Sequence, residues 1–192
     1  ELHHRVKNNL QILSSVLSLQ SQHLQDEGAI HAMKSSESRV NTMALIHKKL
    51  YGGECSRTIQ FREYIQELVH YLIHMYGFEN RKIRCALQCE DIEVDVDKAI
   101  PLGLILNEVV SNALKYAFID HDSPQLDIRL EENNGMLILT VKDNGPGWKD
   151  IPLYDTKSFG LKMIHTLVKE LNGKLDIKTD QGMAFNIEIP IM

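Results

Sequence analysis

Four residues with chemically useful side chains fall inside one short stretch, Leu106-Asn107-Glu108-Val109-Val110-Ser111-Asn112-Ala113-Leu114-Lys115-Tyr116-Ala117-Phe118. Glu108 and Asn112 are four residues apart, and Lys115 and Tyr116 follow three and four residues later. On an α-helix those spacings gather the side chains on one surface. A carboxylate, an amide oxygen and an ammonium in a row could hold a hard metal ion and a phosphate chain. Leu106, Val109, Val110, Ala113, Leu114 and Phe118 give the same helix an apolar side to bury. A plain surface helix with a polar face would read the same way, so the stretch needs company.

Two further stretches supply it. Asp143-Asn144-Gly145-Pro146-Gly147-Trp148 follows a strand-like run, Met136 to Val141. An acid at a strand end, followed by Gly145 and Gly147, places a fixed acceptor beside backbone that can approach a flat ligand. Such an acceptor suits the exocyclic amine of adenine, though the same residue types also make ordinary turns. Ser158-Phe159-Gly160-Leu161-Lys162 then leads into an amphipathic pattern, Leu161, Ile164, Leu167, Val168 and Leu171. Free backbone N–H groups at a helix start favour phosphate. Near the amino end, His3 and His4 are adjacent, so a helix points them about 100° apart.

The elements that position these groups can be traced from periodicity. Residues 1 to 50 read as two helices broken at Gln25-Asp26-Glu27-Gly28, the second running from about Ala29 to Leu50. In the first, Val6, Leu10, Leu13, Leu17 and Leu24 form one apolar row and Ile12, Val16 and Leu19 another. The stripe is wider than a two-helix seam needs. It predicts contact with a hairpin partner and with a second chain, closing a four-helix bundle. The inward residues of the second helix are expected to be Ile30, Met33, Val40, Met43, Ala44, Ile46 and Leu50. Taking the apolar rows of the first helix as inward, His4 falls nearly opposite them, beside Asn8, Gln11 and Ser15. His3 falls on the flank, near Leu10.

Gly52-Gly53-Glu54-Cys55-Ser56 reads as a linker. Beyond it the patterns predict helices over 61–75, 97–118 and 161–171 and a strand over 82–89. Pro101 is placed in the first turn of the second of these helices, where it blocks no hydrogen bond. Hairpins are predicted over 125–142, turning at Asn133-Asn134-Gly135, and over 175–189, turning at Gln181-Gly182. The fold class is therefore α+β: an antiparallel helical hairpin at 1–52 that dimerises into a four-helix bundle, then an α/β sandwich at 57–192.

Composition narrows the function classes. A net charge of -5 with no basic tract argues against nucleic acid. No apolar run spans a bilayer. Three cysteines, Cys55, Cys85 and Cys89, show no zinc spacing and read as reduced thiols of a cytoplasmic protein. His70 and His74 share a helix face without a third ligand and read as polar surface. The chain opens one turn before the histidine pair, as a piece of a longer sensor would.

In order and spacing, the three stretches resemble the N, G1 and G2 boxes of the histidine-kinase ATPase domain, of the Bergerat-fold superfamily of gyrase and heat-shock-chaperone ATPases. Glu1-Leu2-His3-His4-Arg5-Val6-Lys7-Asn8-Asn9-Leu10-Gln11 resembles the phosphoacceptor box of bacterial sensor histidine kinases of the second HisKA type, close to the HWE group. The resemblance covers nearly the whole chain. It implies a two-component kinase core that autophosphorylates His4 from ATP with Mg²⁺, then donates the phosphoryl group to an aspartate on a response-regulator receiver domain. His4 directly precedes Arg-Val-Lys-Asn, which matches the phosphoacceptor, and its outward position agrees. A neutral imidazole, with pKa about 6.5, needs little activation as a nucleophile.

The resemblance further implies that Asn112 binds the metal, and that Lys115 with Tyr116 contacts phosphates or ribose. Asp143 would read adenine, Gly145 and Gly147 would admit the base, and Gly160 with Leu161 would border the phosphates. Glu108 stands open between a base and a residue of the Mg²⁺ shell. Two departures bear on phosphate affinity: Ser158 replaces the first glycine of the usual Gly-x-Gly-Leu, and the segment from Trp148 to Lys157 is short for an ATP lid. The competing classes are a Bergerat-fold ATPase or serine kinase, which would lack a histidine-bearing hairpin, and a non-catalytic dimerisation and docking module.

Overall fold

The computed structural model describes residues 2–51, 57–79, 83–119, 121–147, 159–179 and 181–191, and for residues 2–4 and 51 the backbone only. The hairpin is built from α1 (Leu2–Gln22) and α2 (Glu27–Tyr51). The second helix starts two residues before Ala29 because Asp26 caps it, its Oδ1 accepting from the Ala29 N–H at 2.7 Å.

Burial in the hairpin differs from the expected stripe. On α1, Lys7, Leu10, Ser14, Leu17, Ser18 and Ser21 are half-buried, whereas Val6, Ile12, Leu13, Val16 and Leu19 are exposed. The side packed on α2 is thus a mixed leucine–serine row, and much of the apolar surface stays bare. On α2 only Ile46 and Leu50 of the expected inward set are fully buried, joined by Ser38 and Thr42. Ile30, Met33, Val40, Met43 and Ala44 are half-buried. The reason is a second neighbour: the Ser38–Thr42–Ile46–Leu50 row, spaced by one helical turn, packs on the carboxy-terminal part of the chain rather than on α1.

That part begins with β1 (Thr58–Gln60) and α3 (Phe61–Met75), followed by β2 (Arg84–Cys89), β3 (Glu93–Asp95) and α4 (Val96–Asn112). A π-helical turn, Ala113–Ala117, extends α4. Then come β4 (Gln125–Asn133), β5 (Met136–Asp143), α5 (Phe159–Glu170), β6 (Lys174–Lys178) and β7 (Ala184–Pro190). The main sheet has the order β2-β4-β5-β7-β6, with β2 parallel to β4 and the rest antiparallel. Across it Ile128 lies opposite Val141, which lies opposite Phe185, and Leu130, Leu139 and Ile187 align likewise. These alternate along their strands with exposed or half-exposed polar residues such as Asp127, Arg129 and Lys142, so one sheet face is buried. Leu102, Ile105, Leu106, Val109 and Val110 of α4 and Leu161, Ile164 and Val168 of α5 fill that face. The result is the expected α/β sandwich beside a helical hairpin.

Local signals explain most boundaries. Asn134 and Gly135, at φ 52° and 75°, make the left-handed two-residue turn that joins β4 to β5. Asn172, at φ 53°, takes the left-handed position that ends α5, and the Gly173 N–H bonds Val168 O at 2.9 Å. Three features depart from the expectation. The short antiparallel pair β1–β3 is additional. Asp95 caps α4 through the Asp97 N–H, so the helix starts at Val96 and Pro101 lies beyond its first turn, where it costs one backbone bond. The helix also widens after Asn112, the Phe118 N–H bonding Ala113 O at 3.1 Å.

Candidate functional site

The buried end of the site is built by the strand ends. Asp143 closes β5, and the N–H of Gly145 and of Met183 both donate to its Oδ1, at 2.8 and 3.2 Å. Both bonds fall on one oxygen, which leaves Oδ2 for a ligand donor. Burial pushes this carboxyl above the ordinary aspartate range, and the two backbone bonds partly offset the rise. Around it Val109, Asn112, Ala113, Tyr116, Ala117, Pro146, Gly147, Met183 and Phe185 form a mostly apolar pocket. Gly145 and Gly147 serve the packing here: a Cβ on Gly145 would strike Ala117, and Gly147 sits at φ 68° against Thr179 O. Gly182, at φ 84°, lies against Asp143 O and completes the same corner. An apolar slot with one carboxylate acceptor at its floor suits a flat base bearing an amine.

Beside it lies a cavity of about 630 Å³ that shares Asn112 and Tyr116 with the pocket. Glu108, Lys115 and Gly160 also line this cavity, so Glu108, Asn112, Lys115 and Tyr116 face one space as their spacing predicted. The opposite wall comes from the hairpin: His31, Ala32, Ser35, Ser36 and Arg39 of α2. Arg39 pairs with Glu108, Nη2 to Oε2 at 2.9 Å. Lys115 Nζ donates to Ser35 Oγ at 2.7 Å and stands 5.4 Å from the centre of the Tyr76 ring. Tyr116 is exposed. Gly160 lies against Glu108, and a Cβ there would force the carboxylate to shift. Leu161, beside it, is buried in the core.

Behind this wall the two parts are latched. The buried Asn107 amide donates to Ser38 Oγ and Thr42 Oγ1, both at 2.7 Å. Nothing in the local sequence marks Asn107, Ser35, Ser38 or Arg39, because their roles depend on which helix packs against which. Met183 and Phe185 are likewise visible only once β7 is paired with β5. The side chains of His3 and His4 lie outside the described residues, as do Ser158 and the segment from Trp148 to Lys157.

The remaining candidates are quiet. Burial pushes the Cys85 thiol up to about 11 and raises Cys89 too, so neither is a ready nucleophile. His74 pairs with Glu79 at 3.4 Å. Among the described residues there is no cluster of three or more His, Cys, Asp or Glu fit to hold a metal. Among them, too, no helix is long and apolar enough to cross a membrane.

Comparison with known proteins bears on this arrangement. The family model described as "Histidine kinase" matches residues 1–76. That described as "Histidine kinase-, DNA gyrase B-, and HSP90-like ATPase" matches residues 97–192. Blue-light-activated histidine kinase 2 of Erythrobacter litoralis is 29% identical over the whole of this chain, which covers 56% of that relative. Sensor histidine kinase PdtaS of Mycobacterium tuberculosis is also 29% identical over the whole chain, which covers 39% of it. The chain thus spans between a third and three-fifths of these relatives. The histidine kinase domain of Erythrobacter litoralis EL346 blue-light activated histidine kinase superimposes with a TM-score of 0.75 at 24% identity, covering 96% of this chain and 94% of that one. That likeness shows the same fold. Hairpin, sandwich and both family matches lead to one statement: the chain belongs to the histidine kinase family, with an ATPase domain of the type shared with DNA gyrase B and HSP90.

Proposed function

We propose that this chain is the catalytic core of a sensor histidine kinase, transferring the γ-phosphoryl group of ATP to an imidazole nitrogen of His4 and then to an aspartate of a response-regulator receiver domain. The observation that carries the reading is the adjacency of two cavities along α4. An apolar pocket with Asp143 in its lining adjoins, at the shared residues Asn112 and Tyr116, a cavity lined by Glu108, Lys115 and Gly160. That is the order of chemistry along a nucleoside triphosphate. The hairpin at 1–52 carries the acceptor and the sandwich at 57–192 carries the nucleotide.

Roles follow from position. Asp143 Oδ2 accepts from the adenine amine while the Gly145–Gly147 backbone admits the ring. Lys115 gives up its Ser35 bond for a phosphate oxygen, and Tyr116 covers the ribose. Gly160 and Leu161 border the phosphates at the start of α5. Asn112 and Glu108 line the same cavity, and their amide and carboxylate oxygens are hard donors of the kind that would hold Mg²⁺. A bound Mg²⁺ would neutralise phosphate charge during transfer. Glu108 has two available roles, the metal shell or acceptance of the proton shed by the phosphorylated imidazole. The bare row of Val6, Ile12, Leu13, Val16 and Leu19 on α1 supports a homodimer through the hairpin.

Incubation with γ-labelled ATP and Mg²⁺ tests the core claim. Acid-labile, base-stable label is expected on the wild-type chain. His4→Ala should abolish it while nucleotide binding persists. Undiminished label on His4→Ala would move the acceptor elsewhere.

A further inference from the structure

We propose that Arg39, carried by the hairpin helix α2, is a γ-phosphate-binding residue that exchanges Glu108 for the terminal phosphate when ATP enters. The inference rests on the reading of the cleft as an ATP site. Arg39 lines the large cavity but not the Asp143 pocket, whereas Asn112 and Tyr116 line both. It therefore stands at the end of the cleft remote from the base, where only the last phosphate of a triphosphate would reach.

The guanidinium is poised there. Its Nη2 bonds Glu108 Oε2 at 2.9 Å, and its carbon lies 4.8 Å from the centre of the Phe159 ring, at the start of α5. It thus bridges the helix that carries Glu108 and the helix that begins with Phe159. Its Nε is buried and has no hydrogen-bond partner among the described residues. A guanidinium presents five donors in a planar fork, and a buried donor left unmade is costly. A phosphate brings several acceptor oxygens and can take two parallel bonds from that fork, satisfying Nε together with an Nη. Apart from Arg39 and Lys115 the cavity offers no permanent cation among its described lining residues, and Lys115 starts from α4, beside the shared part of the cleft. Moving Arg39 to phosphate releases the Glu108 carboxylate for its own role. It also makes recognition of the third phosphate depend on a residue of the hairpin.

The test compares binding of ADP and of a non-hydrolysable ATP analogue, with Mg²⁺, to the full 192-residue chain by calorimetry. Arg39→Gln is expected to weaken the triphosphate by about tenfold or more, the size of a lost charge-assisted bond, while ADP changes less than about twofold. Arg39→Lys, which keeps the charge but not the fork, should give a smaller loss of the same selectivity. Equal weakening of both nucleotides by Arg39→Lys would mean a purely structural role and overturn the inference. So would triphosphate binding that is unchanged or tighter in Arg39→Gln, the sign of a simple restraint on Glu108. If Arg39→Gln binds neither nucleotide, Arg39→Lys decides by the same criterion. A wild-type chain that binds neither would overturn the proposed function along with this inference.

Discussion

Asp143 lies where the sequence suggests an acceptor, an acid at a strand end before two glycines, although ordinary turns share that pattern. What the sequence could not supply is its environment, which comes from Gly182 and Met183 in the turn before the distant strand β7. Burial there raises the carboxyl's pKa, so protonation sets in at higher pH than for an ordinary aspartate near 4. Two consequences have opposite signs. An adenine amine needs the carboxylate, so nucleotide affinity should fall as pH drops through the raised folded value. Asp143→Asn should bind weakly and show little of that dependence. A pH series of nucleotide dissociation constants between about 4 and 7 checks both, and a wild-type profile flat across the range would refute the assignment. The empty fold, by linkage, should gain stability as pH falls through the same folded value, until the unfolded value is reached. A second residue-scale expectation concerns Tyr64, whose buried hydroxyl has no hydrogen-bond partner among the described residues. It presses on Gly103 of α4. Tyr64→Phe removes an unpaired buried group and should leave stability unchanged or raise it by up to about 1 kcal/mol, read as the midpoint of denaturant unfolding. A loss above about 1 kcal/mol would mean the hydroxyl has a partner after all.

At the scale of elements, legibility followed the strength of the periodic signal. α3, with its strong apolar face, and the β4–β5 hairpin, with Asn134-Gly135, fall where the sequence places them. The β1–β3 pair has three residues in each strand, too few for alternation to show. The π-helical turn after Asn112 ends at the buried Phe118, and no propensity marks it. The hairpin misled in a specific way. Periodicity points to apolar residues as the inward set, yet the α2 row that packs on the sandwich is half polar, and its Ser38 and Thr42 are satisfied by Asn107. The apolar side of α1 is correspondingly the bare one. Ile12, Val16 and Leu19 lie on one face at helical spacing, at 60%, 44% and 58% exposure. A seam of that kind implies self-association. Ile12→Glu with Val16→Glu should convert a dimer to a monomer near 22.0 kDa by light scattering, with nucleotide binding kept. A wild-type chain that is already monomeric at high micromolar concentration would remove the basis for the dimer.

On the scale of the whole molecule, the contacts that matter most join residues 69 positions apart, Arg39 to Glu108 and Ser38 to Asn107, and no window along the sequence could reveal them. They fix a distance as well as a site. Lys7 and Gln11 of α1 share a cleft with Asn41, Ala44, Leu45 and Lys48 of α2, so His4, nearly one turn earlier, is level with the far end of α2. The cavity is faced by α2 only from His31 to Arg39. At about 1.5 Å per residue, the nine positions between Arg39 and Lys48 separate acceptor and cavity by roughly 14 Å along the axis. Transfer needs reacting atoms within about 3.5 Å. If the cleft takes ATP and His4 is the acceptor, as proposed, the docked arrangement is one that holds nucleotide, and the hairpin must leave it before His4 is phosphorylated within the chain. Asn107→Ala deletes both bonds of the latch and leaves two buried hydroxyls short of a donor, a cost of about 1–3 kcal/mol borne by the docked state. It should raise the rate of His4 labelling at saturating ATP by roughly fivefold or more if undocking limits the rate. It should also weaken ATP relative to ADP, because Arg39 departs with the hairpin. Slower labelling at saturating ATP, with the fold intact by circular dichroism, would show that the latch belongs to the productive geometry and that the acceptor comes from a second chain.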